Sequence, residues 1–192
     1  MKFIIGKKLN MSQVFGEDGY ATPVTAIQME PMAVIRTKTS DTDGYTATVV
    51  GYGVQKESRI NKAQRSVGNF RGTMEIRSDN PSLGGFEPGE TVTVSGITKG
   101  KGFQGVVKRH GFHGGSRTHG QKHSEREVGS IGGAGRAGGR VSKGMRMAGR
   151  MGTDRVTVRN LKVVKVDDKS GIIFVRGAVP GRRGTLLEIK AI

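Results

Sequence analysis

Apolar and polar positions alternate at both ends of the chain and lose that alternation in the middle. Over residues 1–53, β-branched and apolar residues, partly in alternation with polar ones, mark Lys2–Ile5, Thr22–Met29, Met32–Lys38 and Tyr45–Tyr52, which predicts four strands. Asp18-Gly19 and Asp43-Gly44 are hairpin dipeptides between them. Residues 54–80 change character. Asn61 to Arg65 suits a short helix with Asn61 as its cap, and Phe70, Met74 and Ile76 are placed to pack this insertion onto the body. Thr91–Ile97 reads as a strand again. The pattern then breaks, and returns in Val156–Val158, Leu161–Val166, Ile172–Val175 and Leu186–Ile189. Asp167 to Gly171 reads as a hairpin loop, and Pro180-Gly181-Arg182-Arg183-Gly184 as a tight basic turn.

About nine short strands from both ends of one chain predict a mainly β fold, an antiparallel barrel, because closure leaves no exposed edge. The expected body is residues 1–97 with 156–192, carrying a small, partly helical insertion at about 54–80. Residues 98–155 form a long excursion without its own periodicity.

Charge changes the picture of that excursion. The chain has 32 Lys and Arg against 16 Asp and Glu, a formal charge of +16. Between Thr98 and Asn160 there are 14 basic residues and three acids, Glu125, Glu127 and Asp154, so this third of the chain holds +11 of the +16. All four histidines and 16 of the 32 glycines lie there as well. Such a segment buries too little apolar surface to offset its ordering entropy, so it is either disordered or ordered by something outside the chain, and its charge makes that something a polyanion. Glycine lets the backbone approach phosphates and riboses closely.

RNA, DNA and anionic membranes are the polyanions to consider. A membrane role is disfavoured: Phe3-Ile4-Ile5 is too short for a signal core or a span, Trp is absent, and no amphipathic basic helix is present. Without an export signal the chain is expected to remain in the cytoplasm, and the sequon at Asn10 carries no meaning there. With no Cys, disulfides, thiolate nucleophiles and Cys-based zinc sites are excluded.

Several motifs admit other chemistry. Gly100-Lys101-Gly102-Phe103-Gln104-Gly105 spells GxGxxG, but a dinucleotide site needs a helix after the loop, and Gly111, Gly114 and Gly115 argue against one. His110, His113, His119 and His123 sit in a glycine-rich frame beside Lys108, Arg109, Arg117 and Lys122, which would repel a cation. Stacking on bases or donating to phosphates suits these histidines better, with plain solvation as the bland alternative. Ser116 and Ser130 lack a nucleophile elbow, and the acids near them are sparse. Hence neither catalysis, metal, cofactor nor small-molecule substrate is expected. From Gly129 to Gly152, basic residues recur every three or four positions at Arg136, Arg140, Lys143, Arg146 and Arg150. Seven glycines between 132 and 149 disfavour a helix, at up to about 1 kcal/mol each relative to Ala. An extended finger with alternating cations is the expected form.

Four stretches together resemble one family. KKLNMSQVF (7–15), ITKGKGFQGVVKRHGFHGGSRTHG (97–120), GSIG (129–132) followed by GRVSKGMRMAGRMG (139–152), and RVTVRNLKVVKVD (155–167) with VRGAVPGRRGTLLEI (175–189) resemble the bacterial ribosomal protein L3 family, in order and over essentially the whole chain. The resemblance implies a translation-protein-type barrel and a long extension threaded into large-subunit ribosomal RNA. It implies binding near the 3′ end of that RNA, nucleation of subunit assembly, and a finger at about 129–152 directed towards the peptidyl transferase centre. Large-subunit proteins fourteen and nineteen are the implied neighbours. In some members the residue between MAG and MG is an N-methylated glutamine; here it is Arg150, so that modification does not carry over. The expected RNA contacts are Lys99, Lys101, Lys108, Arg109, His110, His113, Arg117, His119, Lys122, His123, Arg126, Arg136, Arg140, Lys143, Arg146, Arg150, Arg155, Arg159, Arg182 and Arg183. A free RNA chaperone or nucleoid protein is the competing reading of the same charge.

Overall fold

In strand β1 (Lys2–Phe15) the four residues after Lys2 are all buried, because both faces of the strand are covered there. In the computed structural model, which describes residues 1–16, 18–78, 81–133 and 138–192, one face of β1 looks into a barrel and the other meets a second sheet. The chain continues through β2 (Ala21–Met29), β3 (Met32–Lys38), a helical turn α1 (Ser40–Asp43), β4 (Ala47–Val54), α2 (Lys62–Arg65), β5 (Phe70–Ile76), β6 (Ser82–Leu83) and β7 (Thr91–Ile97). It then passes through β8 (Gly102–Gln104), α3 (Val106–His110) and β9 (Gly149–Met151), and ends with β10 (Arg155–Asp167), β11 (Ile172–Arg176) and β12 (Leu186–Ala191). Among the described residues no helix is long and apolar enough to cross a membrane.

The chain forms two compact units: residues 1–98 with 155–192, and residues 99–154. The first is mainly β. Six antiparallel strands in the order β1, β2, β11, β10, β7, β12 close on themselves through the β12–β1 pairing, in which Ile4 lies opposite Ile189. Alternate residues point inward, so Ile4, Ile27, Val92, Val94, Val163, Ile173, Val175, Leu187 and Ile189 fill the interior, and Phe86 and Val179 complete the cluster. Glycine is required where walls approach: a Cβ on Gly96 would lie 2.5 Å from Leu187 Cδ2. The pairing of the long β10 with β7 shifts register at a bulge between Val158 and Leu161, where Asn160 adopts φ 58°, a conformation that asparagine tolerates better than most residues.

The second sheet, β3–β4–β5, covers the outer face of β1 through Phe3, Ile5, Val50 and Ile76. The insertion expected at 54–80 is partly helical, with a 3-10 turn at Glu57–Arg59 and α2 after it. The helix is a single turn, α2, and although Asn61 stands at its N-cap its side chain makes no capping hydrogen bond. Residues 70–76 are instead a strand paired with β4, with Met74 and Ile76 packing inward and the Phe70 ring occupying the space over Gly51. Asp43-Gly44 likewise does not make a two-residue hairpin. It ends α1, with Gly44 left-handed at φ 78°.

Among the described residues, every buried side-chain nitrogen or oxygen has a hydrogen-bond partner. Thr25 on β2 is fully buried and donates from Oγ1 to the Gly177 carbonyl at 2.6 Å, fixing the segment between β11 and β12. Thr25→Val keeps the shape and strips that carbonyl of its donor. It is expected to cost about 1–3 kcal/mol, seen as a lower urea midpoint of barrel unfolding with an unchanged slope; an unchanged midpoint would show that the bond adds nothing.

Candidate nucleic-acid interface

In the second unit Val106 is the only buried residue among those described. Its order rests on backbone geometry. β8 and β9 pair antiparallel, with Gly102 opposite Met151 and Phe103 opposite Arg150. Lys101 donates its N–H to the Met151 carbonyl at 2.9 Å. Gly152, at φ 79°, has no room for a Cβ, which would fall 2.1 Å from the Lys99 carbonyl oxygen.

A helix does follow the GxGxxG string, contrary to the sequence expectation. It is α3, five residues long, starting after Gly105 and stopped by the left-handed Gly111. The strand before it, β8, belongs to a two-stranded antiparallel ribbon rather than a parallel sheet, so the strand–loop–helix unit of a dinucleotide site is not formed. The helix instead aims two expected contact residues inward. Arg109 Nη1 donates to the Met147 carbonyl at 2.7 Å, and His110 Nε2 donates to the same oxygen at 3.0 Å. Because a carbonyl only accepts, this bond fixes the His110 proton on Nε2. The Arg109 guanidinium lies against Gly149, where a Cβ would come within 2.6 Å of Nη1.

The remaining cations divide into paired and unpaired. Arg117 is ion-paired to Glu125, and Arg155 donates to Glu188 at 2.5 Å from β10, a barrel strand rather than the loop. Among the described residues, Lys99, Lys101, Lys108, Lys122, Arg126, Arg140, Lys143, Arg146 and Arg150 in the second unit are all exposed and make no ion pair. The same holds in the first unit for Arg159 and for Arg182 and Arg183, which stand on the turn between Gly181 (φ 89°) and Gly184 (φ 83°). Lys8 holds that turn from below, donating to the Val179 and Gly181 carbonyls at 2.7 and 3.0 Å. Arg136 lies outside the described residues.

The four histidines do not converge. His110 faces inward, with its ring tilted 42° to Phe112 at 5.9 Å, whereas His113, His119 and His123 are exposed. No three His, Asp or Glu among the described residues gather as a metal site. Phe103 was not among the expected contacts. It is 77% exposed on β8, directly across from Arg150. Cross-strand partners share a face, so an aromatic surface and a guanidinium are presented together. The sequence signal for it was a lone aromatic between glycine and glutamine in a segment with no core to receive it.

What this surface offers is a set of unpaired cations on backbone held close by glycine, suited to phosphates, with exposed rings suited to unstacked bases. The family model for ribosomal protein L3 matches residues 7–172. The large ribosomal subunit protein uL3 of Acetivibrio thermocellus is 43% identical, covering 98% of this chain and 96% of that protein. Those of Carboxydothermus hydrogenoformans and Desulfitobacterium hafniense are 45% and 46% identical, each over 98% of this chain and 96% and 95% of theirs. A match that spans the barrel strands and the coreless basic unit alike leaves one assignment: the chain belongs to the ribosomal protein L3 family.

Proposed function

We propose that this protein is a structural component of the large ribosomal subunit in the cytoplasm and binds large-subunit ribosomal RNA directly. The observation that carries this reading is the second unit's lack of a core: residues 99–154 contain twelve Lys and Arg against three acids, and bury one described side chain. Ordering backbone costs about 1–2 kcal/mol per residue, which one valine cannot offset. RNA supplies the missing interactions. The exposed cations screen phosphates that would otherwise repel as RNA helices pack, so most of the affinity is sequence-independent.

Family membership supports a finer form of the same proposal. The protein binds near the 3′ end of the RNA and helps nucleate assembly. Residues 129–152 act as a finger directed towards the peptidyl transferase centre, and proteins fourteen and nineteen of the large subunit are its neighbours. Arg150 brings a permanent cation to a position where some members have a methylated amide, and Phe103 across the ribbon gives it an aromatic partner for base stacking.

Pelleting ribosomes through a high-salt cushion tests the assignment. One copy per large subunit is expected to remain after the wash. Release into the supernatant, with equal binding to unrelated RNA, would instead identify a free RNA chaperone.

A further inference from the structure

Within the second unit, residues 112–129 fold around a cavity of about 560 Å³, within the range of about 300–1,000 Å³ typical of small-ligand sites. Phe112 and Val128, both half-buried, provide apolar lining, and His113, Gly114, Gly115 and Glu127 complete the part that matters here. The cavity is built into the loop. Gly115 donates its N–H to the Glu125 carbonyl at 3.0 Å. Gly114, at φ 75°, packs so tightly that a Cβ would fall 2.2 Å from the same oxygen. Gln121 Nε2 donates to Ser124 Oγ at 2.6 Å, and the Arg117–Glu125 ion pair ties the two sides together.

Glu127 is the anomaly. The second unit has three acids among twelve cations. Glu125 is paired with Arg117, and Asp154 has an interaction of its own. Among the described residues, the Glu127 carboxylate has neither ion-pair nor hydrogen-bond partner, and it is the only acid lining the cavity. A carboxylate there repels phosphate, so a backbone-binding role is the wrong chemistry for it. It accepts hydrogen bonds only, and takes two side by side. Of the four RNA bases, guanine alone places two donors next to each other on its Watson–Crick edge, N1–H and the N2 amino group. Adenine and cytosine set an acceptor beside their amino group, and uracil has one donor between two acceptors.

We infer that this cavity holds an unpaired guanine of the bound RNA, with Glu127 accepting from N1–H and N2–H and with Phe112 and Val128 against the ring. The inference rests on the RNA-binding function proposed above and adds base recognition to it. Unstacked bases read on this edge and packed on aromatic side chains are the usual mode of sequence-specific RNA recognition.

The test compares the full chain with its Glu127→Gln variant on a large-subunit rRNA transcript, with kethoxal probing of unpaired guanines and binding measured across a salt series. Pure phosphate binding predicts that losing a negative charge strengthens the complex. The guanine pocket predicts the opposite sign: binding about ten-fold weaker, an unchanged salt slope, and one guanine that wild type protects becoming reactive. Inosine at that guanine, which lacks the N2 amino group, should weaken wild-type binding and leave the variant's affinity nearly unaffected. The unchanged slope shows that the rest of the interface is intact. Equal or tighter binding by Glu127→Gln, with the same guanines protected, overturns the inference while leaving RNA binding standing. Failure of the wild type to bind with a steep salt slope overturns both.

Discussion

Replacing residues 130–146 with a short Gly-Ser linker is expected to lower the salt dependence of rRNA binding by about three units of log K per log salt. The segment holds Arg136, Arg140, Lys143 and Arg146 and no acid. Each phosphate neutralised contributes about 0.7–0.9 to the slope, so four contacts give about three. Between 50 and 200 mM salt, wild type should therefore lose about 60-fold more affinity than the deletion. The boundaries matter. Met147 supplies the carbonyl that holds Arg109 and His110, and Gly149–Met151 is the partner strand of β8, so a cut through 152 would dismantle that corner as well. Ending at 146 removes cations and spares the corner. An unchanged slope would mean that these four residues do not reach phosphate and that the affinity lies elsewhere, with Lys99, Lys101 and the Arg182–Arg183 turn as the next cations to remove.

Charge location was readable from the sequence alone, whereas the sorting of individual cations was not. Arg109 and Lys108 are neighbours with the same charge, yet one is bound to a carbonyl 38 residues away and the other is exposed. Lys8 looks like a surface lysine in KKLNMSQVF and in fact holds a turn 171 and 173 residues further on. Such contacts depend on the closed fold, and no local pattern encodes them. Glu127 was visible only as one of three acids in a basic segment, and its isolation emerges once Glu125 is seen to be paired.

The same division applies to the fold. Val92 and Val94 alternate with polar residues because β7 has one face in the barrel. The unbroken Phe3-Ile4-Ile5 run reflects burial on both faces of β1. By contrast, Phe70–Ile76 has a period of two at Met74 and Ile76, but Gly72 interrupts it. Its identity as a strand comes from pairing with β4, a long-range interaction. Helix α3 was hidden for a different reason: five residues are too few for a helical period to appear, and glycines bound it on both sides.

Amide exchange in the free, full-length chain should separate the two units by several orders of magnitude. Amides of β2, β7, β11 and β12 around Ile27, Val94, Ile173 and Leu187 open only with the whole barrel. With a global stability of at least about 5 kcal/mol, this corresponds to protection of about 10⁴ or more. Residues 111–133 and 138–146 have no fully buried side chain and form no strand, so their amides should exchange far faster than those of the barrel, slowed only locally by bonds such as that from the Gly115 N–H to the Glu125 carbonyl. Residues 101–110 and 147–151 should fall between, held by the β8–β9 ladder, the α3 turn and the shared Met147 carbonyl. Adding a large-subunit rRNA transcript should raise protection mainly in the least protected group, because that is where RNA replaces the absent core. Barrel-like protection of residues 111–133 in the RNA-free protein would contradict this. It would mean that the second unit draws stability from its own chain beyond Val106, and that its charge serves a surface already folded before RNA arrives.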